Sequence, residues 1–319
     1  VEFNNGTTYR VDPSSRTVGH VTIAAIQPPA PTGQCNSAAI QAAGLDLFDQ
    51  AVGVGSDVVE RPDIVCLPEY LNCMNYFSDH NEDRFGSEAI ELLDNVSARA
   101  RNARCNVILP LVIDDGGKRY NRAYVIDREG DLVGHFDKIH VTEVEREQFG
   151  IVPGSDWPVF DLDFGRIGIM ICYDGCFIES SRILALQGAQ IIFWPSLQRS
   201  YKRDQLELQT RSHAYFNYTA IVRSSYGGPT SHDDENCMVG LSCICAADGT
   251  ILTSIDGKSG WTVARVDLDH QPQGVRTFGG LIGNLRDMRF EDRCPDQYGL
   301  ISQKSHTPQV VKRRQNIDA

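Results

Sequence analysis

Apolar positions in this chain come in short β-branched runs separated by stretches of helical spacing. Regular patterning starts after a polar opening rich in turn formers (NNGTT, DPSS), where VTIAAIQ predicts a strand from Val21 to Gln27. Ile40, Ala43, Leu47, Phe48, Ala51 and Val52 then recur on one face of a predicted helix, and DIVCLPE predicts a strand ending at Glu69. The alternation repeats with an amphipathic helix through Ala89, Leu92, Leu93, Val96 and Ala100, followed by a strand from Asn106 to Ile113. Tight turns at 114–117 (DDGG) and 128–131 (REGD) lead into RAYVID and LVGHFDK, which predicts antiparallel pairing there and a mixed sheet.

The second half continues in the same way. RIGIMIC reads as a strand ending at Cys172, then come a helix over 177–187 stopped by Gly188, the strand QIIFW, a helix over 203–217 and the strand TAIVRSS. CMVGLSCICA, TILTSI and WTVARVDL form a strand-rich stretch. With no linker and no low-complexity segment, residues 20–270 read as one layered α/β domain. Residues 1–19 read as an extension, and 271–319 as a Gly-, Arg- and Asp-rich C-terminal segment ending in a tail.

Composition narrows the function classes. The 319 residues are 41% hydrophobic, enough for a large core, and the net charge of −12 argues against nonspecific binding to nucleic acid or an anionic membrane. No apolar stretch is long enough to span a bilayer. The 10 cysteines are scattered, several in apolar runs, which fits reduced thiols and a cytoplasmic location. The chain opens on Val1 rather than Met, which leaves a leader ahead of it open.

Candidate chemistry centres on GIMICYDGCFIES, which holds two thiols, Cys172 and Cys176. A cysteine at the end of a buried strand, before a tight turn and a helix, has its sulfur presented while nearby amides face outward to stabilise an oxyanion. Cys172 has that placement, with Asp174 and Gly175 as turn residues. A thiol nucleophile needs a base; His135 and His140 flank FDK, but neither sits in an obvious second motif, and a Cys-His peptidase would require His140 or His213 in that role. Glu69 and Lys138 also end apolar strands. Partial desolvation would raise the pKa of the glutamate toward that of a working base, and the ammonium would stabilise a thiolate or an oxyanion. His232, Cys237 and Cys243-x-Cys245 might suggest zinc, but alternation puts the last two thiols on one strand face, and neither metal nor cofactor is expected.

Glu, Lys and Cys in that order, within LPEYLN, HFDKIHVTE and GRIGIMICYDGCFIESSRILALQGAQIIFWPS, resemble the carbon-nitrogen hydrolase family, the nitrilase superfamily. AIQPP, YNRAYVIDREGDLVG, TRSHAYFN and AADGTIL extend the likeness over roughly Val21 to Leu300. The resemblance implies an αββα sandwich whose subunits pair to extend it. It makes Glu69 the general base, Lys138 the oxyanion stabiliser, Cys172 the nucleophile and the Tyr173 amide a second oxyanion donor. A second glutamate before Pro-Gly falls on Glu147 in EQFGIVPG, with Glu143 and Glu145 as competitors.

The residues after the nucleophile bear on substrate. Cys-Tyr-Asp resembles the amidase and carbamoyl-hydrolase branches more than the nitrile hydrolases, so a small amide is the expected substrate, with N-carbamoyl amines or amino acids, or a nitrile, as alternatives. Gly175 and Cys176 stand where N-carbamoyl-D-amino-acid hydrolases carry carboxylate-binding arginines, and Arg199, Lys202 or Arg203 are the available substitutes. Trp194, opening WPSLQRSYKRD, is expected at the pocket border. Acyltransfer, a Cys-His peptidase and a silent binding protein remain as other classes. GNLRDMRFEDRCPDQYGLI resembles a family segment that packs across a dimer interface, which implies a homodimer or larger assembly.

Overall fold

The computed structural model describes residues 19–30, 37–53, 61–73, 84–198, 202–228, 240–269, 273–275 and 282–303. The chain divides into two compact units, Val1–His270 and Gln271–Ala319.

In the first unit, β1 (His20–Gln27), β2 (Ile64–Cys66) and β3 (Asn106–Asp115) run parallel, linked by α1 (Ser37–Ala51) and α2 (Ser87–Ala103). β4 (Lys118–Ile126) and β5 (Leu132–Asp137) add on antiparallel, as the two turns predict. The first hairpin turns on Gly116 and Gly117, at φ of 58° and 76°. Two successive left-handed residues are what a two-residue hairpin turn requires, and glycine takes them without steric cost.

The short α3 (Glu143–Glu147) leads to a second series: β6 (Val159–Leu162), β7 (Gly165–Ile169), α4 (Ile178–Leu186), β8 (Ile191–Pro195), α5 (Arg203–Asn217), β9 (Ala220–Ser224), β10 (Cys243–Cys245) and β11 (Ile251–Ser254). β12 (Gly260–Asp267) returns to the first sheet and pairs antiparallel with β1. Two six-stranded sheets result, ordered β12-β1-β2-β3-β4-β5 and β11-β10-β9-β8-β7-β6.

Alternation along the strands sorts side chains into layers. Ile23, Ala25, Ile64, Ile108 and Val125 of one sheet meet Ile167, Ile169, Ile191, Phe193 and Val222 of the other in a core between the sheets. The opposite strand faces, with Ala24, Ile26, Val65 and Leu109 on one sheet, pack under α1 and α2 through Phe48, Leu92 and Val96. Met170, Ile192, Trp194 and Ile221 pack with Leu184 of α4 and Ala214 of α5. The architecture is the expected αββα sandwich.

Two readings need correction. β7 ends at Ile169, not Cys172: Met170 still donates its amide to the Phe193 carbonyl at 3.0 Å, but the extended Ile171 donates its amide to Asp174 Oδ2 instead of a neighbouring strand, and the chain turns at Cys172. β10 keeps only Cys243–Cys245 of the expected CMVGLSCICA, whose first residues lie outside the described ones. β6 adds an edge strand that was not anticipated.

In the second unit, β13 (Gln273–Val275) and β14 (Ile282–Asn284) pair antiparallel ahead of α6 (Leu285–Glu291). Asn284 caps that helix, its side chain accepting from the amides of Arg286 and Asp287. Residues 1–18 and the basic run Lys312-Arg313-Arg314 lie outside the described residues.

Candidate active site

The parallel strands of both sheets end on the same side as three buried or half-buried reactive groups. Glu69 lies three residues past β2, Lys138 follows β5 directly, and Cys172 opens a 3-10 turn over Cys172–Cys176 after β7. Cys172 has φ of 43°, a left-handed conformation that costs a non-glycine residue energy and swings its side chain off the strand line.

The Glu69 carboxylate has no solvent exposure and is surrounded by donors. Oε1 accepts from Lys138 Nζ at 2.9 Å and from Asn121 Nδ2 at 2.7 Å, while Oε2 accepts from the Leu197 amide at 2.7 Å. The Tyr226 hydroxyl donates to the Glu69 carbonyl at 2.7 Å and holds the backbone from below. The Leu197 carbonyl accepts from Cys172 Sγ at 3.6 Å, so one peptide unit on each side of Leu197 ties base and thiol to the same segment.

Lys138, 2% exposed, also donates to Glu145 Oε1 at 2.8 Å. Glu145, not Glu147, is therefore the second glutamate beside the lysine. Glu143 and Glu147 share one side of α3, four residues apart, and are exposed, whereas Glu145 projects from the opposite side and is buried. The Thr142 side chain accepts from the Glu145 amide at 3.3 Å, and Glu145 Oε2 accepts from the Thr142 amide at 2.8 Å. This is a capping box, so the carboxylate that meets the lysine also starts the helix. Tyr70, at φ of 62°, donates its hydroxyl to Glu145 Oε1, and Asn121 Nδ2 reaches the same oxygen at 3.1 Å.

Charge in this pocket is unevenly distributed. Burial raises the Glu69 pKa, opposed by the Lys138 ammonium. Burial also works against the charged form of Glu145, but Lys138, the Tyr70 hydroxyl and the Thr142 amide outweigh it and hold the carboxyl at about 2. Burial opposes the Lys138 charge as well, yet Glu69, Cys172 and Glu145 together raise its pKa. Burial pushes the Cys172 thiol well up, Glu69 adds to the effect, and Lys138 only partly offsets it. Lys138 and Glu145 thus form a buried ion pair, burial disfavours the charged form of the Cys172 thiol, and Glu69 is the carboxyl on which burial and Lys138 pull in opposite directions.

The other expected residues fall around this centre. Tyr173 is exposed beside Cys172. Trp194 is not a pocket wall: it is fully buried in the helical layer, and its Nε1 donates to the Cys172 carbonyl at 2.9 Å. Gly175 is likewise not a substrate contact. A β-carbon there would come within 2.1 Å of the Trp194 ring, so glycine is what lets the turn close onto the indole. Cys176 ends the turn, partly buried.

Neither histidine is bonded to the thiol. His213 Nε2 lies 2.8 Å from the Gly175 carbonyl and Nδ1 lies 2.7 Å from Ser181 Oγ. Asp174 Oδ1 accepts from the His140 amide at 2.8 Å, with His140 Nδ1 at the same distance, and Asp174 Oδ2 accepts from the Ile171 amide at 2.9 Å. The lysine strand end is thereby fastened to the cysteine turn, with the His140 ring stacked on Phe177 at 3.8 Å. Of the basic substitutes, Arg203 pairs with Asp256 at 3.0 Å and Lys202 precedes α5. Arg199 lies outside the described residues.

The family profile described as Carbon-nitrogen hydrolase matches residues 22–271, which include every group above. The chain belongs to the carbon-nitrogen hydrolase family. Among curated relatives, a probable nitrilase of Schizosaccharomyces pombe is 32% identical over 180 residues, covering 56% of this chain and 61% of that protein. The match therefore spans under two thirds of that relative's length. The citrullinase of Francisella tularensis is 26% identical, covering 80% of this chain and 90% of its own. The N-carbamoylputrescine amidase of Arabidopsis thaliana is 31% identical, covering 57% and 63%. Among solved structures, the carbon-nitrogen hydrolase from Helicobacter pylori G27 superimposes with a TM-score of 0.72 at 22% identity, covering 90% of this chain and 99% of that one. This carbon-nitrogen hydrolase thus shares both the family's sequence pattern and its fold.

Sequence reasoning missed Tyr70, Asn121, Trp194 in its actual role, and Leu197. Tyr70 and Asn121 fall inside the segments LPEYLN and YNRAYVID that carry the resemblance. For Glu145, Thr142-Glu-Val-Glu145 is a readable capping-box signal.

Proposed function

We propose that this chain hydrolyses the carbon-nitrogen bond of a small amide through a cysteine thioester. The observation that carries the proposal is the sharing of Lys138 by Glu69 and Glu145 at 2.9 and 2.8 Å, with the Cys172 sulfur and Glu69 both held on Leu197.

The steps follow from this charge arrangement. Glu69 takes the thiol proton as Cys172 attacks the amide carbon, and the carbonyl oxygen becomes an oxyanion facing Lys138 and the Tyr173 amide. The tetrahedral adduct collapses as Glu69 returns the proton to the leaving nitrogen, releasing ammonia or an amine and leaving an acyl thioester. Glu69 then deprotonates water, which attacks the thioester carbon, and the departing sulfur recovers the proton. Glu145 remains ionised throughout and keeps the Lys138 ammonium charged and oriented. The high thiol pKa fits concerted proton transfer rather than a standing thiolate.

Carbamoyl compounds form a second substrate arm, because one relative is named for N-carbamoylputrescine. We further propose a homodimer through the α4–α5 face, where Ile178, Ile183, Leu186, Leu208 and Phe216 are exposed apolar residues. The thiols of Cys66, Cys73, Cys105, Cys172, Cys243, Cys245 and Cys294 are free, which supports the reading of a reducing, cytoplasmic setting. Among the described residues no helix is long and apolar enough to cross a membrane.

Ammonia release measured across amides, nitriles and carbamoyl compounds tests the reading. Turnover of amides that disappears in Cys172→Ala supports it, and the absence of turnover on the whole panel would refute it.

A further inference from the structure

Two buried side chains of the helical layer hold carbonyl oxygens of the nucleophile turn, Cys172–Cys176. Trp194, on β8, donates its Nε1 to the Cys172 carbonyl at 2.9 Å. His213, on α5, has its Nε2 at 2.8 Å from the Gly175 carbonyl. The two rings meet edge to face, with 5.5 Å between centroids and 77° between planes, and the Arg223 guanidinium covers the indole at 4.6 Å. The turn is thus gripped near both of its ends.

The grip at Gly175 depends on which ring nitrogen of His213 carries the proton. A carbonyl oxygen only accepts, so the contact requires a proton on Nε2. The neighbouring side chains arrange this. Asn217, one turn further along α5, donates its Nδ2 to Ser181 Oγ at 2.8 Å and to the His213 carbonyl at 2.9 Å. Ser181 Oγ turns its hydrogen to His213 Nδ1 at 2.7 Å, closer than the Ile178 carbonyl at 3.2 Å. Nδ1 therefore accepts and Nε2 donates. Burial lowers the His213 pKa and favours this neutral ring, with the Gly175 bond acting the other way.

The consequence reaches the reacting atoms through peptide geometry. The carbonyl of one residue and the amide of the next share one planar trans unit and point in opposite directions. With the Cys172 carbonyl drawn toward the indole, the Tyr173 N–H points away from the helical layer. It is also one of the first amides of the turn, which have no acceptor within it.

We propose that His213 is a positioning residue for the reaction: it fixes the Gly175 end of the turn while Trp194 fixes the Cys172 end, and together they aim the Tyr173 amide at the oxyanion formed on Cys172. This rests on Cys172 being the nucleophile of an amide hydrolase. His213 touches no reacting atom. Held at one end only, the turn rocks about the Trp194 bond, and the Tyr173 amide leaves the line of the oxyanion.

The test compares His213→Phe, which keeps an aromatic ring without a donor, with His213→Gln, which restores a side-chain N–H. In His213→Phe, kcat should fall at least about tenfold, short of the roughly 100- to 1000-fold loss of a whole oxyanion donor, with KM within about threefold. His213→Gln should recover part of that loss, and the pH profile of kcat/KM should be lowered without changing shape. Two probes separate aim from thiol reactivity. Alkylation of Cys172 by iodoacetamide forms no oxyanion and should stay within about threefold of the parent rate. Acetaldehyde and propionaldehyde, to which the thiol adds across the C=O to give a tetrahedral adduct, should bind about tenfold more weakly. A kcat within about threefold of the parent, equal losses with both probes, or His213→Gln no faster than His213→Phe would overturn the proposal. Nitrogen-15 histidine NMR of the unmodified protein needs no substitution. It should show a neutral His213 protonated on Nε2, and a proton on Nδ1 instead would overturn the proposal even if both variants misfold. Absence of ammonia release by the unmodified enzyme from every amide counts against the hydrolase reading, whereas the tautomer and the probe ratio answer for His213.

Discussion

Lys138 Nζ and Glu145 Oε1 lie 2.8 Å apart inside the protein, and that oxygen also accepts from Tyr70 and Asn121. A buried ion pair is a weak source of stability as a whole, but removing one partner leaves the other charge uncompensated at a cost of about 3–5 kcal/mol. Glu145→Gln should therefore lower kcat at least about 100-fold and lower Tm, while Glu147→Gln, on the exposed side of α3, should leave both near the parent values. Steady-state kinetics and thermal melts of the two variants check the assignment.

The same pair sets an acid dependence. The Glu145 pKa is depressed from 4.5 to about 2, so its stabilising contribution is complete above pH 4.5 and is lost as the pH falls from about 4.5 toward 2. Glu69, with a raised pKa, works with the opposite sign. The Tm difference between the parent and Glu145→Gln should accordingly shrink over that acid window and be flat from pH 5 to 7. A difference that grows on acidification would contradict the pairing.

The nucleophile turn depends on Trp194. Trp194→Phe keeps the ring but removes the 2.9 Å bond to the Cys172 carbonyl, and should lower kcat about tenfold with a smaller change in KM. Gly175→Ala forces a methyl group to within 2.1 Å of the indole, and should destabilise the fold by about 1–3 kcal/mol. Kinetics for the first and urea melts for the second separate positioning from packing.

The histidines supply the contrast with a Cys-His enzyme. His213 spans Ser181 and Gly175, so His213→Ala should cost stability. The pH dependence of kcat/KM should nonetheless keep its shape, because Glu69 is the proposed base. Loss of the alkaline or acidic limb in that variant would point to imidazole as the base.

Much of this was legible in the sequence where side-chain identity carries the signal. α5 runs over Arg203–Asn217 as its pattern predicts, and the Gly116-Gly117 turn sets the hairpin. Glu69, Lys138 and Cys172 stand out because ionisable residues interrupt apolar strand ends. The end of β7 was misread because Met170 and Ile171 stay buried up to the turn at Cys172, while the Ile171 amide bonds the Asp174 side chain rather than a neighbouring strand. Leu197 was invisible because its contribution is a backbone amide and carbonyl, for which any residue type would serve. The choice among Glu143, Glu145 and Glu147 turned on helix phase, which the capping box at Thr142 fixes.

The central claim is that Cys172, served by Glu69, carries the acyl group. Rapid acid quenching within the first turnover of an amide substrate, followed by peptide mass spectrometry, tests it most directly. The account predicts an acyl adduct on Cys172, none on Cys176, and neither adduct nor ammonia in Cys172→Ala. Ammonia release that persists in Cys172→Ala, or an adduct carried by Cys176 instead, would contradict it.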